Sequence, residues 1–248
     1  MNPSSLPASA SVAVIGAGRL GGVLAAALRR AGLAVHAPLR RDDEIPAVDV
    51  ALLCVPDAAI AAAARVARPH ARLVGHVSGA TPLDDVDFSI HPLQTFTGAE
   101  QPQVFHGIGC AVAGRTDDAL AVADGLVAAL GARAFRVDDE HRAAYHAAAS
   151  MASNLLLTTL DAAEQVAAIA GIRSDDARAL LAPLVRQTVA NWEATGARAA
   201  LTGPIVRGDE STVARQRDAI AEERPDLVVL FDALCDGTRT LAARGESA

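Results

Sequence analysis

Residues 12–22 read Val-Ala-Val-Ile-Gly-Ala-Gly-Arg-Leu-Gly-Gly, an apolar run that passes straight into Gly16-x-Gly18-x-x-Gly21 and then into an alanine-rich stretch with helical periodicity. Each glycine has its own reason to be there. Gly16 allows a tight strand-to-helix turn, Gly18 lets backbone approach a pyrophosphate, and Gly21 lets the helix pack closely on the strand. The unpaired N–H groups of the first helical turn then face the phosphates. With Ala17, Arg19 and Leu20 between them, residues 16–21 are the expected cofactor-binding segment. Glycine triplets arise by chance in a chain this rich in Gly and Ala, and the weight here comes from the strand before and the helix after. A dinucleotide fold that no longer binds nucleotide is the competing reading.

The first helix is expected over 19–31 with Gly32 as its stop, followed by a second strand over 33–39. Arg40 and Arg41 come next. An acidic residue there would bind a ribose 2′-hydroxyl, whereas arginine accommodates a 2′-phosphate, so the pair favours NADP over NAD. The rival is a pair of surface arginines held by Asp42, Asp43 and Glu44. Residues 49–55 form a continuous apolar run of the kind buried on both faces of a parallel sheet, ended by Pro56-Asp57. A helix to about residue 68, a strand over 72–77 and Ser78-Gly79 follow. Val55, Pro56 and Ser78 close strands at their C-terminal ends and are expected beside a nicotinamide. Further strands are expected over 88–91, 109–113 and 133–137, with a helix over 117–130.

Beyond Asp138 helical periodicity takes over, with helices expected over 140–170, 175–194, 212–222 and 226–241. The expected fold is therefore α/β: a tail over 1–10, a Rossmann-like domain with a mostly parallel sheet over 11–138, and an all-α domain over 139–248. An apolar-striped helix as long as 140–170 exceeds what so small a domain can cover, which points to a homodimer through the helical part.

The net charge of −7 and dispersed basic residues argue against a nucleic-acid surface. The chain contains no lysine, so no lysine can serve as proton donor or Schiff-base nucleophile. Cys54, Cys110 and Cys235 are far apart and outside any metal-binding spacing, which argues against disulfides and a metal site. No signal peptide or membrane-spanning run is legible, so a cytoplasmic protein without a membrane partner is expected.

Three segments carry polar residues that a core would not need. In Ser89-Ile90-His91-Pro92-Leu93-Gln94, His91 and Gln94 flank a proline-fixed turn after a strand. They are candidates for substrate contact, or for a turn held by its own hydrogen bonds. In Tyr145-His146-Ala-Ala-Ala-Ser150-Met-Ala-Ser153-Asn154, the residues His146, Ser150, Ser153 and Asn154 share one face of a continuous helix. That face is a catalytic candidate, or a wet contact between helices. In Leu201-Thr-Gly-Pro-Ile-Val-Arg207-Gly208-Asp209, Arg207 suits a bidentate grip on a substrate carboxylate and Asp209 is a further contact, unless Asp209 caps the next helix and Arg207 pairs with it.

Together G-A-G-R-L-G, C-V-P-D, H-V-S-G, H-P-L-Q-T-F, Y-H-A-A-A-S-M-A-S-N and L-T-G-P-I-V-R-G-D resemble, in that order, a family of oxidoreductases that joins a Rossmann-like domain to a C-terminal domain called DUF2520. Its wider relatives include pyrroline-5-carboxylate reductase, ketopantoate reductase and 6-phosphogluconate dehydrogenase-like enzymes. The resemblance implies a dimeric NADP-linked fold. Where relatives acting on ketones or alcohols often carry Lys-x-x-x-Asn, this chain has Ser150-x-x-x-Asn154, which leaves His146 as the general acid. The resulting expectation is hydride transfer from NADPH to a small carboxylate-bearing carbonyl such as a 2-keto acid. A cyclic imine is the alternative substrate, and a non-catalytic NADP-binding sensor or scaffold is the alternative of another class.

Overall fold

The computed structural model describes residues 10–244. The tail expected over 1–10 lies outside them except for Ala10, which is buried in the core rather than frayed. Two compact units follow one another, residues 10–153 and 154–244.

The first unit runs β1 (Ser11–Ile15), α1 (Arg19–Arg30), β2 (Ala34–Leu39), β3 (Val48–Leu53), α2 (Ile60–Ala67), β4 (Ala71–His76), β5 (Phe88–Pro92), β6 (Gly109–Gly114), α3 (Asp117–Ala129), β7 (Arg133–Arg136) and α4 (Arg142–Ala152). The sheet order is β2-β1-β3-β4-β5-β6-β7. The first five strands are mutually parallel, while β6 runs antiparallel to β5 and β7 parallel to β6. This is the Rossmann-like, mostly parallel sheet expected from the sequence.

Strand alternation sorts the core onto two faces. Val12, Val14, Val50 and Leu52 pack with Leu24 and Leu28 of α1 and Leu126 of α3. Ile15, Ala51 and Leu53 point the other way, onto Ile60 and Ala64 of α2. Central strands buried on both faces read as unbroken apolar runs, which is why 49–55 was legible.

The second unit is helical: α5 (Asn154–Ile169), α6 (Ser174–Thr195), α7 (Ala197–Ala200), α8 (Glu210–Glu223) and α9 (Val228–Ala243). Its own core is thin. No residue of α5 is buried, and Leu180, Leu184 and Trp192 of α6 are each more than half exposed. No helix among the described residues is long and apolar enough to cross a membrane.

The single helix expected over 140–170 is two helices. Ser153 leaves helical geometry at φ −126° and ψ −81°, its Oγ donates to the Ala149 carbonyl at 2.7 Å, and its amide reaches back only to Ser150. A serine that bonds back onto the preceding turn bends or ends a helix. The break also corrects the expected polar face, since His146 and Ser150 lie on α4 while Asn154 opens α5. Helix α4, expected with the helical domain, groups with the sheet unit. Its buried Arg142 donates to Asp139 Oδ1 at 2.5 Å and to the buried Ser89 Oγ at 2.7 Å, and Asp139 Oδ2 accepts the Leu83 amide at 3.0 Å.

Candidate functional site

Strand β1 lies between β2 and β3, so the chain departs to opposite sides after its first strand and opens a crevice at the strands' C-terminal ends. The glycine turn sits there. Gly16 has φ +116°, and a Cβ on it would stand 2.2 Å from the Cys54 carbonyl oxygen. A Cβ on Gly21 would stand 1.9 Å from the Gly16 carbonyl oxygen. Gly18 differs: a Cβ there would meet nothing within 4 Å. Gly18 is also the N-cap of α1, supplies no side-chain cap, and is followed by a first turn without an acidic residue. Open space over a helix start with uncapped amides and no competing carboxylate fits a diphosphate. Ala17 and Arg19 are exposed and Leu20 half-buried around it.

The Gly16 amide donates to the Leu39 carbonyl at 2.8 Å, which brings the end of β2, and Arg40 after it, beside the turn. Arg40 and Arg41 are exposed and make no ion pair among the described residues. Asp43 is spent elsewhere, accepting the Arg40 backbone amide at 2.7 Å.

Val55 is half-buried and Pro56 exposed where β3 ends. Burial pushes the Cys54 thiol up to about 12, which removes it as a nucleophile. Ser78, after β4, is occupied by its own turn: Oγ accepts the amides of Ala80 and Thr81 and donates to Thr81 Oγ1. The buried His76 props this turn, accepting the Ser78 amide at Nδ1 (3.2 Å) and donating from Nε2 to the Pro82 carbonyl (3.3 Å). Burial lowers its pKa, as a neutral ring with two such partners requires.

At the end of β5, His91 shares a 2.6 Å hydrogen bond through Nδ1 with the Tyr145 hydroxyl of α4. The His91 and His146 rings meet edge to face at 6.1 Å between centroids, and Tyr145 leans on Phe135 at 5.8 Å. His91 lies over Gly79, where a Cβ would come within 2.8 Å of its ring. Burial first, and then the charges of His146 and Arg142, push His91 down to about 4, while burial pushes Tyr145 up to about 12. Both are therefore neutral near pH 7. His146 is exposed, and Ser150 is half-buried one turn further along α4. Gln94 is turned onto its own loop, its Oε1 accepting the Thr95 amide at 2.9 Å, which is the self-held turn that the sequence left open.

The sheet unit thus gathers residues 16–21, Arg40, Val55, Pro56, Ser78, His91 and His146 along the C-terminal edge of its parallel strands or on α4 packed there. Asn154, Arg207 and Asp209 belong to the helical unit. Asp209 caps α8: its carboxylate accepts from the Thr212 amide, Ser211 Oγ and Thr212 Oγ1, which hold it down to about 2. Arg207 is exposed and makes no ion pair with Asp209. A cavity of about 520 Å³ in this unit is lined by Ala162, Val166, Ile220, Leu230 and Phe231, with Thr159 and Gln216 as its polar side chains, so it offers no charge to a carboxylate. On the surface of the sheet unit, Asp138, Glu140 and His141 cluster loosely and are all exposed.

Sequence reasoning missed Arg142 and gave no individual role to Ser89 and Tyr145, which stand in its candidate segments, or to His76, which it placed with Ser78 at a strand end. One signal was present: Arg142 precedes Tyr145 by three residues and His146 by four, the spacing of one helix face.

The domain family described as a domain of unknown function, DUF2520, matches residues 108–238. Among solved structures, a candidate NADP oxidoreductase of Bacteroides fragilis is similar with a TM-score of 0.78 at 21% identity, over 94% of this chain and 99% of that one. A protein of Thermotoga maritima is similar with a TM-score of 0.73 at 21% identity, over 93% and 98%. Pyrroline carboxylate reductase of Plasmodium falciparum, solved with NADP bound, is similar with a TM-score of 0.58 at 10% identity, over 94% and 98%. At these identities the likeness is one of fold. No curated protein matches the chain.

Proposed function

The chain belongs to the DUF2520 family, and from that premise we propose that it is an NADP-dependent oxidoreductase that reduces a small, carboxylate-bearing carbonyl compound, a 2-keto acid in the first instance. The observation that carries this reading is the open, uncapped helix start over Gly18, on the same strand edge that presents His91 beside His146.

NADPH supplies the hydride when bound. Gly16, Gly18 and Gly21 hold the pyrophosphate, and Arg40 and Arg41 take the 2′-phosphate, as expected of free cations at the end of β2. His146, exposed on α4 beside His91, protonates the developing alkoxide. Ser150 orients the reacting group, and Arg207, exposed on the helical unit, is by its fork of donors suited to a carboxylate. Asp209 is left with its helix. A cyclic imine is the second substrate reading, favoured by the absence of lysine, because a protonated C=N needs less acid assistance. Two copies associate through the apolar faces of α5 and α6, which are uncovered in the single chain.

Nicotinamide fluorescence on titration with NADPH and NADH tests the cofactor, and NADPH oxidation with a panel of keto acids and cyclic imines tests the substrate. NADPH binding with turnover that His146→Ala abolishes supports the reading. Binding without oxidation of any compound points to a sensor or scaffold, and no binding of either nucleotide removes the reading.

A further inference from the structure

Two histidines of the sheet unit, His91 and His146, meet edge to face and differ in kind. His146 is exposed and has no hydrogen-bond partner among the described residues, whereas His91 is partly buried and tied to Tyr145. Only the second has its proton placement constrained by a neighbour.

The constraint can be worked out atom by atom. Tyr145 Oη and His91 Nδ1 are 2.6 Å apart, so one donates and the other accepts. The imidazole is flanked by Arg142 and His146 from α4 and by His76 from β4, which oppose a second proton, and only Asp57 after β3 favours it. The ring therefore carries one proton, on either Nδ1 or Nε2. If Nδ1 carried it, the hydroxyl would accept, which sets the weaker donor against the weaker acceptor, since a phenol O–H donates better than an imidazole N–H and an imidazole nitrogen accepts better than a phenol oxygen. If the hydroxyl donates instead, Nδ1 is satisfied and the ring proton sits on Nε2. Nε2 makes no hydrogen bond, yet no buried side-chain nitrogen or oxygen among the described residues lacks a partner. Nε2 is therefore open to solvent. It stands beside the Ser78-Gly79 turn, where β4 ends on the cofactor edge of the sheet.

We propose that Tyr145 fixes the tautomer of His91, so that His91 offers a neutral Nε2–H as hydrogen-bond donor to the oxygen of the carbonyl being reduced. This rests on the reductase reading for its ligand. Tyr145 is the positioning residue, and His91 is the group that touches substrate. A neutral imidazole is well suited to the task, since it polarises the carbonyl as charge develops without carrying a mobile second proton into the site. The two histidines then divide the work: His91 stabilises the growing negative charge, and His146 delivers the proton. Arg142, anchored on Asp139 and Ser89, sets the helix that carries both Tyr145 and His146.

The test is a spectroscopic one on the whole chain. In protein labelled with 15N at histidine, two-bond 1H–15N correlation distinguishes the two neutral tautomers and the cation, and His91→Gln identifies the His91 signals by their loss. At pH 7 the expected pattern is a single neutral tautomer with the proton on Nε2, kept as the pH is lowered to 5. Tyr145→Phe retains the ring against Phe135 but removes the donor, and it is expected to convert His91 to a mixture of both tautomers. A proton on Nδ1 in the wild type, a doubly protonated His91 at pH 7, or an unchanged tautomer in Tyr145→Phe would overturn the proposal. Titration of the same wild-type sample with NADPH reads the underlying function separately: absence of binding removes the reductase reading, and with it the ligand assigned to Nε2, whatever the tautomer.

Discussion

The backbone amide of Gly16 donates to the carbonyl of Leu39 at 2.8 Å, so the glycine turn and the end of β2 are one structure. Arg40 follows Leu39 directly, so the side chain proposed to read the 2′-phosphate leaves the strand end that this hydrogen bond ties to the glycine turn.

Replacement of Arg40 or Arg41 by alanine should weaken NADPH binding by roughly tenfold each, the loss of a charge-assisted hydrogen bond to phosphate, and leave NADH nearly unchanged. Fluorescence titration with both nucleotides checks this. Equal losses for NADH would mean that neither arginine reads the 2′-phosphate.

The three glycines should fail in different ways. Gly16→Ala places a Cβ 2.2 Å from the Cys54 carbonyl oxygen at a positive φ, and should cost roughly 2 kcal/mol or more of stability. Gly21→Ala meets the Gly16 carbonyl oxygen and belongs in the same class. Gly18→Ala enters open space, so urea unfolding should place it within about 0.5 kcal/mol of wild type, while NADPH affinity falls by roughly tenfold. A Gly18→Ala chain with unimpaired NADPH binding would contradict the assignment of that space to the pyrophosphate.

His91 makes stability depend on pH with a defined sign. Its folded pKa, pushed down to about 4 by burial and then by His146 and Arg142, lies below the ordinary histidine value of 6.5. Above that ordinary value both states are neutral and nothing is lost. Between 6.5 and 4 the unfolded chain takes up a proton that the folded ring refuses, so stability falls as pH falls. The loss should be on the order of 2–3 kcal/mol across the window. Buried His76 acts in the same direction. Urea unfolding at neutral and mildly acidic pH should show a shallower slope in His91→Gln.

The uncovered face of α6 carries Leu180, Leu184 and Trp192, spaced to line one side of the helix. The wild-type chain should sediment as a dimer, and Leu184→Glu with Trp192→Glu should shift it to monomer. A monomeric wild type would leave those residues without the occupant proposed for them.

The strands were legible because buried parallel strands read as apolar runs cut off by Gly, Pro and Asp, as Pro56-Asp57 shows after β3. The glycine turn was legible because its constraints are local. What sequence periodicity could not carry were contacts made by single atoms. Nothing in the spacing of alanines around Ser153 distinguishes a serine that faces outward from one that turns onto Ala149 and ends the helix. Arg142 reads as surface until Ser89 and Asp139 are seen to hold it inside. Tyr145 and His91 meet across 54 positions of sequence, a separation over which no helical or strand period operates.

The end of α4 at Ser153 has a consequence for how such a chain can diverge. The glycine turn, the arginines after β2, and the Tyr145–His91–His146 group all lie before that residue, within one unit. Arg207 and the helices around it lie after it. On the reductase reading proposed above, the glycine turn and the paired histidines are inherited on one side of a single serine and Arg207 on the other, so the two halves of such a chain can vary separately.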